Sequence, residues 1–456
     1  MGAQWLAVFG YCLIPPAVVF AAPPLALVET VISEPVFHGK AHIFTAGRDG
    51  APTVVLVHGL GDKGARDWAG LIPVLARDYR VVAFDLPGFG RSSKGNEFYS
   101  PERYADFLRY LMVEHFHTRS FSLVGHSMGG AIALRYAARF PLDVTALVLV
   151  DVPGILHPMA YSKFLSHIGI NFLPSLYPEQ SEHLSDVVNK VLRMSNKVQP
   201  VPEAIVAIPM LRQRFLNAEP TKIAGLALAL EDFSADIPRV QAPVLVLWGG
   251  RDTVAPLRNG RVLSANLPHA QLEVFETSGH TPMEDVPERF NARVAAFLNM
   301  PVLEWRNGIL QRELLRPVST RTGSCKSQRG VVFEGDYDRI IIDRCRDTLV
   351  RNARVRELRI SDATVNIEDS LIGGTDGGLR VDDARVTITS SLIEGKVAIS
   401  AVQAHLDIAG SRIVGTEAAL VVPLKSEVLF SVSHVQSPHF YGNLHELRTV
   451  TSDKPL

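Results

Sequence analysis

Between residues 53 and 275 the chain alternates short unbroken apolar runs with longer stretches of helical patterning. Ser120-Phe121-Ser122-Leu123-Val124 and Gln271 to Phe275 are short apolar-rich runs that read as strands, whereas Thr53-Val54-Val55-Leu56-Val57-His58, Arg80-Val81-Val82-Ala83-Phe84-Asp85, Thr145 to Asp151 and Pro243 to Gly249 hold apolar residues at consecutive positions, not at every second one. Runs of this kind predict strands buried on both faces of a parallel sheet. An amphipathic helix is predicted over Tyr104–Phe116, an Ala- and Leu-rich helix over Gly130–Phe140, and a last helix from Pro287. Val36-Phe37-His38 and His42 to Thr45, with Gly39-Lys40 between them, predict an opening hairpin. The rhythm breaks over residues 152 to about 236, which are helix-like but interrupted by prolines. The pattern as a whole predicts an α/β fold over residues 29–300.

Past residue 300 the texture changes. Residues 301–328 are mixed and polar and read as a linker, and from 329 to 456 Val, Ile and Leu alternate with Asp, Ser and Thr. A repeat is visible there. Ile367-Glu-Asp-Ser370-Leu-Ile372 recurs as Ile388-Thr-Ser-Ser391-Leu-Ile393, as Ile408-Ala-Gly-Ser411-Arg-Ile413, and more weakly as Phe430-Ser-Val-Ser433-His-Val435. The serines stand about 21 residues apart, a period that fits one coil of a β-solenoid. This all-β C-terminal region resembles a short right-handed parallel β-helix of the pectin-lyase type, with an antiparallel β-sandwich as the competing fold. Such a region implies a polysaccharide or protein partner, but its acidic pairs, Glu368-Asp369 and Asp382-Asp383, read as solvated turns and not as lyase chemistry.

Composition changes little in this picture. Of 456 residues, 47% are hydrophobic and 20% charged, and the formal net charge is −1, which argues against nucleic acid as a partner. Residues 1–28 carry no charged side chain. Residues 1–22 read as a secretory signal peptide cut near Ala21 or Ala22, or as an uncleaved membrane anchor, although the n-region lacks Lys and Arg. A cytosolic protein with a hydrophobic arm is the alternative to export. Cys325 and Cys345 remain as a bonded pair or as two buried thiols. No cysteine, histidine or carboxylate spacing suggests a metal site, and nothing calls for a cofactor.

The candidate chemistry centres on Gly125-His126-Ser127-Met128-Gly129, a Gly-x-Ser-x-Gly between a predicted strand and a predicted helix. That context presents the serine hydroxyl on a sharp turn, with the helix N-terminus behind it. On these residues the chain resembles the α/β-hydrolase family over about residues 36–300, in its branch of esterases, haloperoxidase-like enzymes and C–C bond hydrolases. The resemblance implies several further roles. His58-Gly59-Leu60-Gly61 becomes the oxyanion loop, with the backbone N–H groups of Leu60 and Met128 as donors. Asp85-Leu86-Pro87-Gly88-Phe89-Gly90-Arg91-Ser92 becomes a structural loop beside the site, with Asp85 as an anchor. Asp252, in Trp248-Gly249-Gly250-Arg251-Asp252, becomes the catalytic acid ahead of Asp151, where some relatives keep theirs. His280, in Ser278-Gly279-His280, becomes the general base. His58 and His126 read as packing around the site. Residues 152–236 become a helical cap whose Phe164, Ile168, Phe172, Leu173, Ile208, Met210 and Leu211 wall an apolar pocket or form the cap's own core. Together these imply a serine hydrolase acting on a small ester-like substrate. C–C bond, amide or peptide hydrolysis and a perhydrolase-like activity share the same residues, and a non-enzymatic scaffold using the C-terminal region is the alternative outside the enzyme class.

Overall fold

In the computed structural model, residues 27–157, 201–300, 319–374, 377–422, 424, 426–450 and 456 are described. The N-terminal apolar segment, Phe164, Ile168, Phe172 and Leu173 of the expected cap, and residues 301–318 of the expected linker lie outside them. Among the described residues no helix is long and apolar enough to cross a membrane.

The first half builds an eight-stranded sheet from β1 (Val28–Glu34), β2 (Gly39–Ala46), β3 (Thr53–Val57), β4 (Arg80–Phe84), β5 (Phe121–His126), β6 (Val144–Val150), β7 (Val244–Gly249) and β8 (Ala270–Phe275). Their order is β1-β2-β4-β3-β5-β6-β7-β8. The pairs from β4 to β8 are parallel, and β1 and β2 extend the edge antiparallel. All six predicted runs are strands; β8, at the edge of the sheet, is exposed or half-buried from Gln271 to Val274, and the others are largely buried. The hairpin is present, but its first strand precedes the expected one: Val36-Phe37-His38 is the turn. Pro35 cannot donate to a ladder, His38 has φ 54°, and the Glu34 carboxylate closes the turn by accepting the N–H groups of Val36, Phe37 and Gly39 at 2.8, 2.9 and 3.1 Å.

Helices α1 (Ile72–Leu75), α2 (Pro101–Arg109), α3 (Met128–Arg139), α4 (Val201–Ala207), α5 (Pro209–Leu216), α6 (Pro220–Ala229), α7 (Leu257–Asn266), α8 (Pro282–Asp285) and α9 (Pro287–Leu298) accompany this sheet. Separate apolar cores form on its two faces, one around Leu123, Leu149 and Val246, the other around Val124, Val148 and Leu247. This explains the unbroken apolar runs, since successive residues of a strand face opposite sides. Of the expected pocket-wall residues that are described, Ile208 and Met210 face solvent, 44% and 73% exposed, and Leu211 is half-buried. The apolar residues of this stretch that are buried include Ile205, Val206, Ile223, Ala224 and Leu228 on α4 and α6.

The second sheet comprises β9 (Thr322–Lys326), β10 (Val332–Asp343), β11 (Thr348–Ser361), β12 (Thr364–Glu368), β13 (Leu371–Gly373), β14 (Gly378–Asp382), β15 (Arg385–Thr389), β16 (Leu392–Val402), β17 (His405–Ala409), β18 (Arg412–Val421), β19 (Ser426–Ser431), β20 (Ser433–Gln436), β21 (Tyr441–Leu444) and β22 (Leu447–Val450). The region is all β, as expected, but β9 is a strand where a linker was expected. The sheet is mixed and not uniformly parallel, because β22 returns antiparallel on β19 and β21 on β20.

The sequence repeat has a physical basis here. Ile367, Ile388, Ile408 and Phe430 stand opposite one another across β12, β15, β17 and β19, and all four are buried. The N–H of Ser370 donates to Ser391 Oγ, that of Ser391 to Ser411 Oγ, and that of Ser411 to Ser433 Oγ, at 3.2, 3.1 and 3.3 Å. The hydroxyls of Ser370, Ser391, Ser411 and Ser433 each donate in turn to the carbonyl two residues earlier, the last residue of the preceding strand. The repeated serine thus satisfies a buried backbone N–H at a corner where the strand ladder breaks. Cys325 and Cys345 are joined by a disulfide.

Candidate active site

Three loops leave the C-terminal ends of parallel strands and converge. Ser127 sits alone between β5 and α3, with φ 52° and ψ −122°. A left-handed φ costs a residue with a Cβ about 1–2 kcal/mol, and the surroundings hold it there. The Ser127 N–H donates to Val150 O at 2.8 Å, and its carbonyl accepts from the N–H groups of Gly130 and Ala131 at 2.9 and 3.1 Å. The flanking glycines permit the close approach: a Cβ at Gly125 would lie 2.3 Å from Gly129 O, and one at Gly129 would lie 2.2 Å from Val57 O.

Asp252 follows β7. Its Oδ1 accepts the N–H groups of Val254 and Ala255 at 2.7 and 2.9 Å. Its Oδ2 lies 2.8 Å from Nδ1 of His280, which follows β8, and Nε2 of His280 lies 2.9 Å from Ser127 Oγ. The Asp252 side chain is fully buried, while that of His280 is 20% exposed. With Nδ1–H donating to the carboxylate, Nε2 keeps a lone pair for the serine hydroxyl. The row can therefore draw the proton from Ser127 and stabilise the positive ring that results.

Neighbouring groups fix this row in place. His126 Nε2–H donates to His280 O at 2.7 Å, and burial pushes the His126 pKa down to about 3, so its ring stays neutral beside His280. Asp285 Oδ2 accepts from Ser278 Oγ and from the Gly279 N–H, both at 2.8 Å, pinning the turn that carries His280. His58 Nδ1–H donates to Gly59 O at 2.7 Å, and its Nε2 accepts the Leu86 N–H at 2.9 Å. Burial lowers its pKa as well. This ring ties the 58–61 loop to the loop after β4, where Asp85 accepts the N–H groups of Ala65 and Arg91 at 2.8 and 2.9 Å.

The 58–61 loop lies against the serine. A Cβ on Gly59 would fall 3.1 Å from Ser127 Cβ and 2.9 Å from His126 Nδ1. Leu60 follows, with its Cδ2 3.8 Å from where a Cβ on Gly225 of α6 would stand. Met128 is the first residue of α3, so its N–H has no partner within the helix's own ladder. Met128 is thus adjacent to Ser127 in the chain, and Gly59, which precedes Leu60, packs against it in space.

Asp151, after β6, is fully buried with φ 48°. Its Oδ1 accepts the Gly249 N–H at 2.8 Å. Burial, and then the charge of Asp252, push its carboxyl well above the usual carboxylate range. An oxygen of Asp151, an oxygen of Asp252 and a ring nitrogen of His280 lie within 4.8 Å of one another. A metal there would compete for the Asp252 carboxylate that His280 already engages, so the geometry suits proton transfer better than ligation. Sequence reasoning named Asp151 as a rival acid and did not foresee a neighbour. Asp285, in the pair Glu284-Asp285 that follows His280 in the sequence, was assigned no role beforehand.

With this geometry in place, comparison with known proteins is informative. A family model described as alpha/beta hydrolase fold matches residues 52–287, just over half the chain. An uncharacterised protein of Mycobacterium tuberculosis is 29% identical over 332 residues, covering 68% of this chain and 93% of that protein. A 2-hydroxy-6-oxononadienedioate/2-hydroxy-6-oxononatrienedioate hydrolase of Cupriavidus pinatubonensis is 30% identical over 255 residues, 55% of this chain and 87% of that one. A monoacylglycerol lipase of Xenopus laevis is 27% identical over 265 residues, 54% of this chain and 75% of that one.

Proposed function

The chain belongs to the α/β-hydrolase family, and on that premise we propose that it is a serine hydrolase cleaving a carboxylic ester with an apolar acyl or leaving group. The observation that carries this reading is the continuous row Ser127 Oγ, His280 Nε2, His280 Nδ1, Asp252 Oδ2. In the proposed reaction His280 takes the Ser127 proton as the hydroxyl attacks the carbonyl carbon. The N–H groups of Leu60 and Met128 hold the oxyanion, each contributing about 10²–10³ in rate. His280 then protonates the leaving group, an acyl-serine forms, and water repeats the cycle. The apolar character is inferred from Leu226, Ala227 and Leu228 on α6, the helix that passes over Leu60.

Hydrolysis of a chain-length series of p-nitrophenyl esters, with Ser127→Ala as control, tests the reading. Turnover lost in the variant supports it. Absence of turnover together with absence of fluorophosphonate labelling at Ser127 overturns it and favours a binding role for the C-terminal region. Labelling without ester turnover favours C–C bond hydrolysis, the second reading, supported by the named activity of the Cupriavidus relative.

Two further readings accompany this one. The repeat register, in which Thr387 pairs in parallel with both Asn366 and Asp407, supports winding of the second sheet into short stacked coils. The disulfide and the charge-free first 28 residues support export. Retention of a cleavable reporter in the periplasm or medium checks the latter.

A further inference from the structure

We propose that the C-terminal sheet braces the acid loop of the active site, and that Arg258 is the positioning residue through which it acts. The inference rests on the serine-hydrolase reading above. Four successive strand ends of the second sheet, those of β12, β15, β17 and β19, meet the first half of the chain along one line. Three of them meet α7, the helix that begins just past Asp252.

Arg258, in the first turn of α7, is the centre of that contact. Its Nε donates to Thr389 Oγ1 at 2.8 Å and its Nη1 to Asp407 Oδ2 at 2.8 Å. Its Nη2 donates to the carbonyls of Ile388 and Asp407, both at 3.1 Å. A planar guanidinium with all three nitrogens engaged fixes orientation as well as distance. Farther along the helix, Arg261 pairs with Glu368, and Asn266 Nδ2 donates to Gly410 O at 3.2 Å. Ala409, Leu429 and Val432 of the second sheet share one apolar core with Val262 and Leu263 of α7. On the fourth strand end, Ser431 Oγ accepts the N–H of His157 at 2.9 Å, at the point where the cap insertion leaves the sheet.

From Arg258 the path to the reacting atoms is short and stiff. Pro256 precedes the helix, and its carbonyl accepts the Asn259 N–H at 2.8 Å. Ala255 is held by its carbonyl to Trp248 Nε1 at 2.8 Å and by its N–H to Asp252 Oδ1 at 2.9 Å. The other oxygen of Asp252 meets His280. The start of α7 and the carboxylate orientation are thus one hydrogen-bonded unit, and the second sheet grips its outer end. A misplacement of about 1 Å at such a site costs on the order of 100-fold in rate. The C-terminal region on this account belongs to the catalytic body and is not only a separate binding module.

The test compares Arg258→Ala, Arg258→Lys and Arg261→Ala in the full-length protein. The readouts are kcat, KM, the acid limb of the kcat–pH profile, and the rate of Ser127 labelling by a fluorophosphonate. For Arg258→Ala we expect kcat and labelling rate to fall about 10- to 100-fold, KM to hold, and the acid limb to move to lower pH. The shift follows because a less well placed Asp252 stabilises the His280 imidazolium less. Arg258→Lys should recover part of the loss through Asp407. Arg261→Ala loosens the same interface away from the acid loop, and should lower Tm while leaving kcat and the limb unchanged. If Arg258→Ala does not fold, Arg258→Lys is read in its place against Arg261→Ala. A folded Arg258 variant with wild-type kcat and limb overturns the brace, as does an Arg261→Ala variant equally impaired in kcat. Wild-type protein that neither turns over nor labels overturns the serine-hydrolase reading itself, a result visible before any variant is made.

Discussion

Asp151 and Asp252 end neighbouring strands of one sheet and bring two carboxyl groups within 4.8 Å of each other beside His280. Only one of them is placed to serve the histidine. Asp252 spends one oxygen on two backbone N–H groups and the other on His280 Nδ1. Asp151 spends one oxygen on Gly249 N–H, and burial favours its neutral form. A carboxyl kept neutral by burial cannot supply the negative charge that a protonated histidine needs. Asp252→Asn should therefore lower kcat by about 10⁴, and Asp151→Asn, which replaces a neutral acid with a neutral amide, should retain most activity. Steady-state kinetics of the two variants check this.

The same carboxyl makes stability fall with pH. Its folded pKa is raised, so its proton is retained in the folded state and lost in the unfolded state above about pH 4. From there up to the folded pKa, stability decreases with a slope of at most about 1.4 kcal/mol per pH unit from this group. Asp151→Asn should remove that slope, stabilising the protein more at pH 8 than at pH 4.5. Urea unfolding at the two values is the measurement, and an equal effect at both would contradict a neutral Asp151.

Buried histidines act on the acid side. Burial, and next the neighbouring His445, push the His157 pKa down to about 4, and burial also lowers that of His445. Their rings stand 5.3 Å apart between the two sheets' cores. Asp232, 3.7 Å from His445 Nδ1, and Asp407 oppose this lowering. A lowered folded pKa means that stability is fully present above about pH 6.5 and is lost as pH falls toward 4. His445→Gln should flatten that loss, read from Tm between pH 7 and 4.5.

Ser127 stands at φ 52° for a reason that its own stability does not supply. Ser127→Gly should abolish turnover and raise stability by about 1 kcal/mol, since glycine tolerates that conformation. Calorimetry of the variant against Ser127→Ala, which keeps the Cβ, separates the strain from the lost hydroxyl.

In the second sheet, Ser391→Ala removes the acceptor for the buried Ser370 N–H. An unsatisfied buried donor costs about 1–3 kcal/mol. The loss should appear in chemical unfolding, with no change in KM if the second sheet does not touch substrate.

How much of this was legible beforehand follows from range. Glycines at 125 and 129, a serine between strand and helix, and apolar runs too continuous for a half-exposed strand are local signals, because each reflects a constraint within a few residues. The repeated Ser370, Ser391, Ser411 and Ser433 were also visible, since stacked strands impose the same demand at each step. The same locality misled at two points. The apolar Ile208 and Met210 looked like pocket wall, but a helix's orientation decides which face it buries, and Met210 on α5 and Ile208 just before it both face solvent. Val36-Phe37-His38 looked like a strand, but the Glu34 carboxylate and the left-handed His38 make it a turn.

The sequence by itself determined the strands, the sharp turn at Ser127, and the candidates Ser127, Asp151, Asp252 and His280 just past the strand ends, because each stands in a short motif whose adjacent residues mark it. Only the tertiary structure decided which of Asp151 and Asp252 faces the histidine, and that Arg258 meets Thr389 and Asp407 across more than a hundred residues of chain. Those choices depend on distances between segments whose sequences carry no record of one another: an arginine on a helix and an aspartate in a strand are ordinary residues until packing brings their charges together.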